Sequence, residues 1–175
     1  MQYLDLGGDI RAKQLAWLQR DLALASAPAQ RRRVPWIVVL THVPMYCSAD
    51  GQEGVGGSSR EDIEPLLLAA NVDVYTYGHV HAYEATWPMG PNGTVTQQSY
   101  INPTQPVHIL TGAGGPPGVP DTFSKPSPFR RASYATWGYG IVTVNATHFT
   151  YEHRDNAKDS IVDSFTIVQE GRRHY

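Results

Sequence analysis

Leu15, Leu18, Leu22 and Ala25 recur at helical spacing, while Arg11, Arg20 and Asp21 fall elsewhere on the surface. This pattern predicts an amphipathic helix over residues 14–25, capped by Asp9 if it starts as early as Ile10 and closed by Pro28. Arg31, Arg32 and Arg33 then read as a solvated basic loop, with a localisation signal or anion patch as the lesser reading. Residues 36–40 form a continuous apolar, β-branched run that fits a strand buried on both faces. The chain leaves that strand through residues 41–46, where Pro44 stops further pairing. Residues 48–59 are rich in Gly and Ser and read as a mobile loop. A short helix is expected over residues 62–70, with Asp62 as cap, Pro65 in the first turn and Asn71 as the left-handed residue that ends it. Residues 72–77 alternate and predict the next strand. Helix, strand, helix, strand in this order indicates an α/β unit with parallel strands.

The pattern changes after Trp87. Residues 90–105 are turn-rich, and strands are expected at 107–110, 140–144, 148–153 and 161–168. Asn145, Ala146 and Thr147 make a tight connection, and residues 112–128 form a long Gly/Pro loop. This half reads as mostly antiparallel β, packed by Trp137, Tyr139, Phe149 and Tyr151, with His108, His148, His153 and His174 as surface or strand residues. There is no internal repeat.

Composition narrows the class. Of 175 residues, 41% are hydrophobic and 17% charged, which suits one packed domain. The net charge of −2 offers no electrostatic reason for a nucleic-acid or anionic-membrane partner. The longest apolar runs, 37–40 and 66–70, fall far short of the roughly 20 residues a membrane span needs. Residues 1–9 lack the features of a signal peptide. The single Cys47 excludes an intrachain disulfide. Asn92 and Asn145 stand in glycosylation sequons, and Pro103 removes Asn102 from that set.

Three of the seven histidines stand apart. His42 follows the buried run at 37–40, and His79 and His81 follow the strand at 72–77. Ligands of open α/β sheets bind beyond the carboxyl ends of the strands, so both sites should share one sheet edge. His79 and His81 are two apart, so an extended chain would turn both rings to one side. Neutral imidazole is a common ligand for transition metals. The residues alone leave metal ligation and ordinary hydrogen-bonded surface histidines both open. Gly112-Ala113-Gly114-Gly115-Pro116-Pro117-Gly118 is not a phosphate cradle, because no Lys-Ser/Thr follows and the two prolines cannot open a helix with free N–H groups.

Val39-Leu40-Thr41-His42 and Gly78-His79-Val80-His81 resemble the Val-x-x-His and Gly-His-x-His motifs of metallophosphoesterases. Their surroundings resemble purple acid phosphatases more specifically: His42-Val43-Pro44-Met45-Tyr46-Cys47-Ser48, His79-Val80-His81-Ala82-Tyr83-Glu84, Trp17-Leu18-Gln19-Arg20-Asp21-Leu22 and Ile63-Glu64-Pro65-Leu66. Pro106-Val107-His108-Ile109, Gly112-Ala113-Gly114-Gly115, Tyr139-Gly140 and Val162-Asp163-Ser164-Phe165 extend the likeness over nearly the whole chain. The resemblance implies the C-terminal half of a four-layer α/β/β/α sandwich. Residues 1–105 would be part of the catalytic domain, and 106–175 a C-terminal β segment packed on it. It implies that His42 and His79 bind a divalent Zn, Mn or Fe(II), that His81 binds a neighbouring Fe(III), and that His79, Val80 and His81 face the substrate. The implied reaction is hydrolysis of a small phosphate monoester, in a secreted, vacuolar or lysosomal glycoprotein; the oligomeric state stays open.

The departures bear on activity. The Gly-Asp-x-Gly, Gly-Asp-x-x-Tyr and Gly-Asn-His-Glu/Asp motifs that supply the family's other ligands are absent. Gly8-Asp9-Ile10-Arg11 is similar to one of them but is misplaced and lacks the tyrosine. The loop after His42, where plant members carry a histidine pair, reads Ala49-Asp50-Gly51-Gln52-Glu53. No proton donor is assignable; Asp50 and Glu53 are no more than candidates, with a solvated loop as the favoured reading. The rivals are a catalytically incompetent or non-catalytic binding module, and another metallophosphoesterase such as a phosphodiesterase; the flanking segments argue against the latter. Three expectations follow: the three histidines converge, apolar surface is exposed on the strands at 37–40 and 72–77, and the chain alone binds at most one divalent metal tightly.

Overall fold

The computed structural model describes residues 8–52, 55–115 and 117–170. Helix α1 runs Gly8–Ser26, α2 Pro28–Arg33 and α3 Gly57–Ala69. The strands are β1 Val38–Leu40, β2 Val74–Tyr77, β3 Tyr83–Thr86, β4 Met89–Gly90, β5 Thr94–Val95, β6 Val107–Thr111, β7 Arg130–Tyr134, β8 Gly138–Val144, β9 His148–Asp155 and β10 Ser160–Val168. The main sheet has the order β1-β2-β6-β3-β7. Its first three strands are parallel, with Val38 opposite Val74 and Val74 opposite Val107. β3 joins β6 and β7 antiparallel. A second, antiparallel sheet has the order β10-β9-β8.

Two apolar layers hold these elements together. Leu22, Ile63, Leu67, Val72, Tyr75 and Tyr77 fill the space between α1, α3 and the main sheet, with Leu15 and Leu18 packed against them. Val74, Tyr83, Val107 and Ile109 meet Phe149, Tyr151, Phe165 and Ile167 between the two sheets. The described residues thus stack as helix, sheet, sheet. No helix among them is long and apolar enough to cross a membrane.

Several local expectations change. Pro28 opens α2 at its first turn, where its missing N–H costs nothing, rather than merely ending α1. The Arg31 to Arg33 segment is therefore helical, and Arg31 is buried. Its guanidinium donates to Asp73 Oδ2 at 2.7 Å, and the same carboxylate accepts the Ile37 N–H at 2.8 Å and the Gln169 side-chain amide. This cluster bolts α2, the entry to β1, the entry to β2 and the end of β10 together. Asp9 lies inside the first turn of α1 and pairs with Lys13, so it is no cap. α3 starts at Gly57, which places Pro65 in its interior and lets Asp62 pair with Arg11 across the helix contact. Asn71 does adopt the left-handed conformation after α3, at φ 49°.

β2 does not alternate; it is enclosed by β1 and β6 and covered on both faces. β1 is the edge strand, so Leu40 stays 76% exposed and Val38 38% exposed. The expected apolar exposure therefore appears at residues 38–40 but not on β2. β8, the edge of the second sheet, likewise exposes Tyr139, Ile141, Val142 and Val144. Of the four aromatics expected to pack the β half, Phe149 and Tyr151 do so, whereas Tyr139 is exposed. β6 proves parallel to β2, and β3 and β7, both unforeseen, complete the main sheet. His108 and His153 are strand residues, but fully buried ones.

Candidate metal centre

The parallel ladder of β1 and β2 continues past both strands. Thr41 N–H donates to the Thr76 carbonyl at 3.0 Å, and Gly78 N–H to the His42 carbonyl at 3.0 Å. These two bonds carry His42 alongside the turn that holds His79. That turn is tight, with Val80 N–H bonded to the Gly78 carbonyl and Ala82 N–H to the Val80 carbonyl. His79 takes a left-handed φ of 67°, uncommon for a residue with a side chain and costing on the order of 1–2 kcal/mol. Val80 is wholly buried, while His79 and His81 are exposed on either side of it. Gly112 makes room: a Cβ there would stand 1.9 Å from the Val80 carbonyl oxygen.

His42 Nε2 and His79 Nδ1 face each other at 3.3 Å, with the rings edge-on at 86°. Burial lowers the proton affinity of His79, and the neighbouring His42 lowers it further, with His81 a smaller contributor. The ring of His81 lies 6.5 Å from Trp137. Its backbone is held on both sides by Asp121: His81 N–H donates to Oδ2 at 2.7 Å, and Asp121 N–H donates to the His81 carbonyl at 3.0 Å. Among the described residues no three His, Cys, Asp or Glu side chains stand together as a metal cluster.

The donor set can be tested against the implied metals. Two imidazole nitrogens bound at about 2.0–2.1 Å to one tetrahedral ion lie about 3.3–3.4 Å apart. The His42–His79 separation of 3.3 Å matches one edge of such a site. The pair therefore fits a divalent ion that favours nitrogen. Fe(III) prefers anionic oxygen ligands, and among the described residues no carboxylate joins these rings in a group of three. The residues described here do not fit Fe(III).

Asp50 is engaged elsewhere. Its carboxylate accepts the Ser124 N–H and hydroxyl and the Thr122 hydroxyl, and its N–H donates to the Thr122 carbonyl. The Ser124 and Thr122 hydroxyls hold its carboxyl below the usual carboxylate range. A carboxylate kept ionised in this way is a poor proton donor. Glu53 lies outside the described residues. Asn92 and Asn145 are both exposed, the latter in the β8–β9 turn with its Oδ1 accepting the Thr147 N–H at 2.9 Å.

Two family models match this chain: calcineurin-like phosphoesterase over residues 3–83, and iron/zinc purple acid phosphatase-like protein C over residues 105–164. Acid phosphatase type 7 of Danio rerio is 32% identical over 189 residues, which span 96% of this chain. The chain belongs to the purple acid phosphatase family. Purple acid phosphatase 22 of Arabidopsis thaliana is 36% identical and covers 88% of the chain. Purple acid phosphatase PPD1 from yellow lupin seeds superposes with a TM-score of 0.80 at 28% identity, over 91% of this chain and 28% of its own. The chain spans 42% and 34% of the length of the zebrafish and Arabidopsis relatives.

Within this purple acid phosphatase chain, motif reading passed over Glu84 and Asp121. Glu84 is fully buried and accepts the Ser48 N–H and hydroxyl, and Arg130 donates to the same hydroxyl at 3.0 Å. Burial raises its carboxyl above the usual range despite these donors. Its position three residues after His81 was the one available signal. Asp121 sits in the Gly/Pro loop and carries no motif of its own.

Proposed function

We propose that this chain supplies the three-histidine share of a two-metal phosphate monoesterase centre, and that alone it binds a single divalent ion and hydrolyses esters negligibly. The observation that carries the reading is the 3.3 Å approach of His42 Nε2 to His79 Nδ1 at the carboxyl ends of adjacent parallel strands. His42 and His79 hold the divalent ion, which is Zn, Mn or Fe(II). His81 would serve a neighbouring Fe(III) only together with anionic ligands that the described residues do not supply. A bound ion supplies Lewis acidity toward a phosphoryl oxygen. The protein's part is to hold the ligands in place. The lowered proton affinity of His79, from burial and the neighbouring His42, favours the neutral ring that a metal ligand needs. The turn from His79 through Val80 to His81 faces the substrate, a small phosphate ester.

Val38 and Leu40 on the edge of β1 support the view that further chain packs there in the complete enzyme. Residues 1–105 then belong to the catalytic domain proper, and 106–175 to the β segment packed on it. Exposure of Asn92 and Asn145 is compatible with a glycosylated, secreted or vacuolar protein. The test is to purify the chain, titrate it with Zn(II), Mn(II) and iron, and assay release of a chromogenic phosphate ester at acid pH. One divalent ion bound, no visible charge-transfer band and negligible turnover are expected. Turnover equal to that of a full-length relative, abolished by His79→Ala, would refute the single-ion reading.

A further inference from the structure

Loop residues that bear ligands need a rigid support, and His81 has none from regular structure, since it lies between β2 and β3 on an exposed turn. Its support comes from about forty residues downstream. Asp121 grips both the N–H and the carbonyl of His81, at 2.7 and 3.0 Å. The next residues are fastened in turn. Thr122 offers its carbonyl to the Asp50 N–H at 2.8 Å and its hydroxyl to the Asp50 carboxylate at 2.6 Å. Ser124 adds its N–H at 3.0 Å and its hydroxyl at 2.6 Å to that same carboxylate. Asp50 belongs to the loop that leaves β1 through His42. Residues 121–124 therefore form a strap that joins the loop bearing His42 to the turn bearing His81.

We propose that Asp121 is the positioning residue for His81, and that Asp50 fixes its strap so that the spacing between His81 and the His42–His79 pair is set by this chain of hydrogen bonds. The inference rests on the metal-binding reading above. The chemistry suits the role. A charged acceptor makes a stronger bond to a backbone N–H than a carbonyl does. Two bonds to one residue fix both its position and its peptide orientation. The β1–β2 ladder already supports His42 and His79, so the strap accounts for the one ligand that the sheet leaves unsupported.

The test uses the whole chain and Co(II) as the probe. Co(II) affinity and the Co(II)-induced NMR shifts of the His81 signals are measured for wild type, Asp121→Ala, Asp121→Asn and the Thr122→Val/Ser124→Ala double variant. Exchange of the His81 amide hydrogen is followed by NMR without metal. Asp121→Ala should leave Co(II) affinity at His42 and His79 near wild type but change the Co(II)-induced NMR shifts of the His81 signals, which report its distance from the ion. It should also accelerate His81 exchange about tenfold. Asp121→Asn retains an acceptor oxygen and should restore both to near wild type, and the double variant should fall between. If Asp121→Ala fails to fold, the double variant decides by the same two readouts. Unchanged His81 exchange overturns the proposal, as does faster exchange with unchanged Co(II)-induced shifts of the His81 signals. If the wild-type chain binds no Co(II), the metal reading fails on its own. The exchange data then decide for the strap, with acceleration in the Ala variant and recovery in the Asn variant supporting it, and anything else overturning it.

Discussion

Lowering the pH from 7 to 5 should destabilise this fold through His108, by a calculable amount. The ring lies in the interior of β6, 1% exposed, among the rings of Tyr46, Tyr75 and Tyr77 at 5.7, 5.2 and 6.2 Å, and its Nδ1 has no partner. Burial alone pushes its pKa down to about 3. In the unfolded chain it takes the ordinary value of about 6.5. The folded state thus keeps it neutral while the unfolded state gains a proton. Its contribution is complete above about pH 6.5, declines as pH falls, and levels off near pH 3. At pH 5 the unfolded state is favoured by about 2 kcal/mol through this residue, a sizeable share of a typical 5–15 kcal/mol. Chemical denaturation at both pH values, for wild type and His108→Phe, measures it. The variant removes the titrating group while keeping an aromatic ring, so its loss between pH 7 and 5 should be smaller by about 2 kcal/mol, whatever its stability at pH 7. Equal losses in the two proteins would refute the reasoning, because His108 would then titrate inside the fold as it does in water.

His153→Phe should act in the same direction, since burial pushes that ring down to about 4; the pH dependence of its unfolding midpoint is the measurement. Arg31→Ala should cost about 1.5–3 kcal/mol in denaturation, because it removes the buried charge-assisted bonds from Arg31 to Asp73, and Arg31→Lys should recover only part. Gly112→Ala should disturb the His79–His81 turn, since its Cβ would meet the Val80 carbonyl at 1.9 Å; weakened Zn(II) binding with near-native circular dichroism is expected. His42→Ala should abolish tight Zn(II) binding by isothermal titration, as it removes half of the His42–His79 nitrogen pair that matches one ion.

What the sequence determined by itself was whatever depends on near neighbours. A short apolar run ending in His42, and another ending in Gly78-His79-Val80-His81, announced two parallel strands with histidines at their carboxyl ends, because strand burial and side-chain direction are read over a few residues. The Asn71 helix end and the tight turn between β8 and β9 were legible for the same reason. The tertiary structure decided what depends on distant partners. Arg31 reads as a solvated cation until Asp73, 42 positions on, buries it. Asp50 reads as a free acid until Thr122 and Ser124 close on it from 72 and 74 positions away. β3 and β7 are short and carry Glu84 and the pair Arg130–Arg131, so no apolar run marks them; pairing within the main sheet makes them strands. β1 has the composition of an enclosed strand yet lies at an edge, because composition records what a strand can bury and only the sheet order determines what lies beside it.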